Sequence, residues 1–196
     1  MKIPMPAAVL AGGASRRMGR EKGALPYGAS TLAGFQTERL ASVFEEVWLV
    51  AKREPDYAFG PARVLLDDTA DLAAIHGLRR ALREAKDRVF VLAVDLPALS
   101  DALMRAIGER GLSTRAPALV PRAGGRLQPL AAVWRKAILP ELDRRVSEGE
   151  LSLQGLARAV AAEVLPEEEW RAIDPSGNSF LNVNTLQEYA QLRERA

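Results

Sequence analysis

The sequence predicts an α/β fold on two features. Short apolar runs rich in valine and leucine alternate with amphipathic stretches, and several of the runs lack polar alternation. Strands without alternation suit a parallel sheet covered on both faces. Together these give a doubly wound, Rossmann-like, three-layer α/β/α arrangement with a mostly parallel sheet. No internal repeat or low-complexity linker interrupts the 196 residues, so one domain (1–196) is expected.

In chain order, "AAVLAG" (7–12), "EVWLVA" (46–51), "ARVLLD" (62–67), "RVFVLAVD" (88–95) and "APALVP" (116–121) read as strands. Helical patterns at 31–43, 72–86 and 100–110 lie between them; Ser30 and Thr31 are placed to cap the first, Ser100 and Asp101 the third. Further on, "LQPLAAVW" (127–134) reads as a strand, helices follow at about 136–148 and 152–161, and a short strand spans 162–166. Glu167 to Glu169 read as an exposed acidic run, and a closing helix is expected at 185–194. Trp48, Trp134 and Trp170 are scattered as core or rim residues are.

Composition excludes several classes of function. Formal net charge is +2 and the basic character is concentrated in one loop, so a nucleic-acid-binding module is not expected. Cysteine is absent, which removes disulfides, thiolate metal sites and cysteine nucleophiles. The opening "MKIPMPAAVLAGG" is too short an apolar run for a signal peptide, and no stretch approaches the roughly 20 apolar residues of a membrane span. The protein is read as cytoplasmic.

In open α/β sheets, ligands sit outside the carboxyl ends of the strands. This directs attention to Gly12 to Lys22, Lys52 and Arg53, Asp67 and Asp68, and Asp95. The loop "VLAGGASRRMGREKG" (9–23) is neither a Walker A loop nor a G-x-G-x-x-G fingerprint. It shares their physics: glycines let backbone amides approach phosphate oxygens, while Arg16, Arg17, Arg20 and Lys22 neutralise charge. The bland alternative is a solvated basic loop. Asp95 breaks an apolar run just where Pro97 turns the chain out of the sheet, as a Mg²⁺ carboxylate or a plain turn former would. Asp67 offers a second carboxylate, but Asp68 and Asp71 crowd it and any of the three could face the site. His76 has no second histidine or cysteine to share zinc with, and reads as a partly buried structural residue.

These residues carry a resemblance that extends over essentially the whole chain. Leu10, Ala11, Gly12, Gly13, Arg17, Met18, Gly19 and Lys22 match the signature L-A-G-G-x-x-x-R-M-G-x-x-K. "VDLP" with Asp95, "LQPL" with Gln128, and "NVNT" with Asn182, Asn184 and Thr185 supply three further elements. The sequence is similar to the molybdenum cofactor guanylyltransferases of MobA type, nucleotidyltransferases of the glycosyltransferase-A fold. Two segments depart from that pattern. "LAAIHGL" stands where G-P-L-(A/G)-G is usual, keeping Ile75 for the leucine and Gly77, and Val50 stands where an asparagine is often found.

The resemblance implies transfer of GMP from GTP to molybdopterin, with Mg²⁺ as cofactor. Arg17, Lys22 and Asp95 are then the catalytic candidates, and Asp95 the metal ligand. Nucleotide contacts fall to Leu10, Ala11, Gly12, Gly13, Lys22, Asp67 and Asp95. Gln128, Asn182 and Asn184 are expected on the acceptor side. Residues 1–100 would form a nucleotide-binding half and 101–196 an acceptor-binding half, with transient contacts to proteins that deliver or accept the cofactor. "LAGG", where cytidylyl relatives usually read L-A-A-G, favours GTP. A CTP-dependent enzyme on the same pterin, an enzyme acting on a sugar phosphate, and a catalytically silent nucleotide-binding protein are the alternatives.

Overall fold

The computed structural model describes residues 1–12, 21–67 and 69–183. Its elements are β1 (Ile3–Leu10), β2 (Pro26–Tyr27), β3 (Ser30–Thr31), α1 (Leu32–Val43), β4 (Phe44–Ala51), β5 (Arg63–Leu66), α2 (Ala74–Glu84) and β6 (Arg88–Ala93). Then come α3 (Asp101–Ser113), β7 (Ala118–Ala123), β8 (Arg126–Leu127), β9 (Ala131–Arg135), α4 (Leu139–Ser147), α5 (Leu153–Ala159), β10 (Glu163–Leu165) and α6 (Glu167–Arg171). The expected closing helix at 185–194 lies outside the described residues.

The main sheet runs β10-β7-β9-β6-β1-β4-β5. β6, β1, β4 and β5 pair in parallel, as do β10 and β7. β9 is antiparallel to both of its neighbours, β6 and β7, and so joins the two parallel groups. One apolar layer lies under α1, α3 and α6, the other under α2, α4 and α5. Burial on both faces is what the unalternated apolar runs require. Trp48 and Trp134 fill the second layer and Trp170 the first. Each satisfies its indole N–H, on Glu46, the Pro129 carbonyl and the Arg122 carbonyl respectively. Among the described residues, no helix is long and apolar enough to cross a membrane.

Thr31 and Ser100 cap α1 and α3 through bonds from the Gly34 and Leu103 amides. Two expectations need correction. The first strand begins at Ile3, not residue 7, despite Pro4 and Pro6. β6 pairs with β1 only from Ala7 onward, so the prolines fall where the ladder needs fewer donors. The expected strand 127–134 is two strands, because Gly124 and Gly125, both at positive φ, turn β7 back on β8 before Pro129 breaks the run. The acidic run is exposed at Glu168 and Glu169, as expected, and Glu167 to Glu169 form the first turn of α6, where carboxylates favour the helix dipole.

Candidate functional site

The parallel register builds the site. Ala93, Leu10, Val50 and Leu65 occupy one row across β6, β1, β4 and β5. Two residues further on, each strand has ended, and Asp95, Gly12, Lys52 and Asp67 leave the sheet side by side. These four, with Lys22, line a cavity of about 230 Å³. Its walls are completed by Leu72, Ala73, Ala74 and Gly77 at the start of α2, and by Leu130.

Lys22 stands on a single 3₁₀ turn, Lys22–Ala24, and its Nζ lies 2.9 Å from Asp95 Oδ2. Both side chains keep some exposure, 19% and 25%. The backbone behind Asp95 is anchored from three directions. Val183 N–H donates to the Asp95 carbonyl at 2.9 Å. Arg39 donates to the Pro97 carbonyl at 2.8 Å, to the Leu99 carbonyl and to Asp101. Ser100 N–H donates to Ser179 Oγ, and Ser179 in turn is held by Asp174. Burial raises the Asp174 carboxyl, but bonds from Ser176 and Ser179 outweigh it and hold the group below the usual carboxylate range.

At the other side of the cavity, Lys52 Nζ donates to Asp67 Oδ2 at 2.7 Å. Thr69 donates to Asp67 Oδ1 from its hydroxyl at 2.8 Å and from its amide at 3.2 Å. Burial alone would raise the Asp67 carboxyl; the bonds from Lys52 and Thr69 more than offset it and keep the group ionised below its ordinary value. Asp71, about half exposed, accepts from the Ala73 amide at the start of α2. Of the three crowded aspartates, Asp67 therefore lines the cavity, Asp71 positions the helix start, and Asp68 lies outside the described residues. His76 is buried, with its Nε2 3.6 Å from Asp71 Oδ2.

Leu10, Ala11, Gly12, Lys22, Asp67 and Asp95 thus meet around one cavity. Gly13, Arg17 and Asn184 lie outside the described residues. Gln128 turns elsewhere: its side chain donates to the Ala123 carbonyl and its backbone ties the β7–β8 hairpin to β9. Asn182 is exposed and sits next to Val183, the residue bonded to Asp95. Sequence reading gave Lys52 no role of its own. The signal available was its place directly after a strand, shared by Arg53, which is 68% exposed and pairs with Glu21.

Asp95 is a hard oxygen donor beside an ammonium, and among the described residues no three His, Asp or Glu stand together as a metal cage. That donor set fits Mg²⁺, which takes one or two carboxylates and completes its shell with substrate phosphates and water.

A family model described as MobA-like NTP transferase domain matches residues 7–168. A molybdenum cofactor guanylyltransferase of Syntrophotalea carbinolica is 28% identical over 190 residues, spanning 96% of this chain and 90% of the relative. A protein of Aquifex aeolicus named "Probable molybdenum cofactor guanylyltransferase" is 32% identical over 186 residues, spanning 94% and 88%. The solved structure of molybdopterin-guanine dinucleotide biosynthesis protein A from Archaeoglobus fulgidus superposes with a TM-score of 0.84 at 24% identity, covering 97% of this chain and 98% of that one.

Proposed function

The chain belongs to the MobA-like NTP transferase family, and on that premise we propose that it is a molybdenum cofactor guanylyltransferase. In this reading an oxygen of the molybdopterin phosphate attacks the α-phosphorus of GTP, the bond to the β-phosphate breaks, and pyrophosphate leaves. A phosphate is already nucleophilic at neutral pH, so the protein's work is positioning and charge neutralisation. The observation that carries the reading is the convergence of Gly12, Lys22 and Asp95 on one cavity at the carboxyl edge of the sheet.

Lys22 neutralises the triphosphate and the departing pyrophosphate. Gly12, lining the cavity, brings backbone close to the nucleotide, and Gly13 and Arg17 extend that contact in the motif reading. Asp95 is the residue that would hold Mg²⁺, which when bound supplies charge stabilisation to the phosphates. Asp67 bounds the nucleoside region, and Asn182 borders the acceptor side. A cytoplasmic setting and brief contacts with proteins that deliver or accept the pterin belong to the same proposal.

The test is pyrophosphate release by the purified protein given molybdopterin, Mg²⁺ and each of GTP, CTP, ATP and UTP. GTP alone should support turnover, and GTP with Mg²⁺ should raise the melting temperature. Release driven by CTP instead, or by no nucleotide, overturns the reading.

A further inference from the structure

Lys52 joins three walls of the cavity with one side chain. Its stem lies against Gly12, just past β1: a Cβ built there would come 3.3 Å from Lys52 Cγ and 3.5 Å from Cε. Its ammonium donates to Asp67 Oδ2 at 2.7 Å, Thr69 Oγ1 at 2.9 Å, the Thr69 carbonyl at 3.1 Å and the Asp71 carbonyl. Four acceptors surround the three N–H groups of this ammonium, so its donors are taken up within the protein. Its influence must pass through what it holds.

What it holds are Asp67, Thr69 and Asp71, which lie between β5 and α2. Asp67 is only 4% exposed, so without a cation beside it the carboxylate would take up a proton or turn away. Loss of the bonds to Thr69 and Asp71 would release the stretch leading to Leu72 and Ala73, which face the cavity. β4 lies two strands from β6, so Lys52 stands about 10 Å along the sheet edge from Asp95, at about 4.8 Å per strand.

We propose that Lys52 is a positioning residue for the nucleoside end of the substrate. It fixes Asp67, Thr69 and Asp71 against Gly12 and sets how tightly the nucleotide binds, with little part in phosphoryl transfer. The inference rests on the reading of this cavity as the nucleotide site.

The experiment compares wild type, Lys52→Met, Asp67→Asn and the double variant in GTP-dependent pyrophosphate release. Lys52→Met keeps the stem over Gly12 and removes the ammonium. It should raise KM for GTP roughly 10-fold or more with kcat within about 3-fold, the pattern of lost uniform binding. The double variant removes both charges, which keeps the test valid should Lys52→Met alone fold poorly. Its KM should be no higher than that of Asp67→Asn, because two residues acting as one unit are not additive. An unchanged KM in Lys52→Met, a fall in kcat instead, or multiplicative losses in the double variant would each overturn the proposal while the nucleotide reading stands. A wild-type protein that neither binds nor turns over GTP overturns both.

Discussion

The cavity has two lysine–aspartate pairs, and they differ in kind. At the β6 end, Lys22, on its 3₁₀ turn, and Asp95, just past the strand, are both partly exposed. At the β4–β5 end, Asp67 is buried and accepts from Lys52 and twice from Thr69. Under the proposed function, the first pair has room to exchange partners as the triphosphate and its cation bind. In the second the carboxylate is closed off, and the proposal gives that pair a positioning role. A site that must bind one part of a ligand rigidly and change charge around another is well served by such a division.

The largest effect should come from breaking the exchangeable end. Asp95→Asn is expected to lower kcat roughly 10³-fold, since in the proposed reaction this carboxylate would hold the Mg²⁺ whose charge stabilisation of the phosphates is worth several kcal/mol. The melting temperature should stay within about 3 °C, because a pair this exposed contributes about 0–1 kcal/mol. Steady-state pyrophosphate release and calorimetry check both halves. Lys22→Ala comes next: kcat/KM for GTP should drop about 100-fold, with the same small thermal shift, and unchanged kinetics would remove Lys22 from the site.

The closed end should give the reverse pattern. Asp67→Ala leaves the Lys52 ammonium without its carboxylate, at a cost of about 2 kcal/mol, or about 4–8 °C in a chain of this size. Calorimetry reads it directly. A smaller effect sharpens the contrast through pH. The Asp67 carboxyl titrates below its unfolded value of 3.8, so its stabilisation is complete above that pH and is lost as pH falls through the depressed folded value. Urea midpoints at pH 6 and pH 3 should therefore converge more closely in Asp67→Asn than in wild type. The smallest change lies outside both ends. Gly125→Ala, at φ +74 in the β7–β8 turn, should cost about 1 kcal/mol and leave KM untouched.

Much of this was legible in the sequence, and the part that was not has a physical reason. Apolar runs and capping residues located the strands and helices because both signals are local. The direction of β9 is not local: "AAVWR" reads the same whichever way its partners run. The glycine turn and Asp95 stood out because glycine, arginine and a carboxylate at strand ends depart from the pattern around them. Lys52 did not, since a lysine after a strand is what any surface loop offers. Its meaning comes from the row shared by Ala93, Leu10, Val50 and Leu65, and register is written between strands, not within one.

The inserted strand β9 also imposes an order on assembly. β5, β4, β1 and β6 are all synthesised before residue 94 and can associate as they leave the ribosome. The outer rim of β6 then waits for residues 131–135, and β7, though made earlier, has no place in the growing layer until they arrive. A nascent chain paused in that interval presents an open edge of unpaired amides and carbonyls, the part of the molecule most apt to stick to another strand.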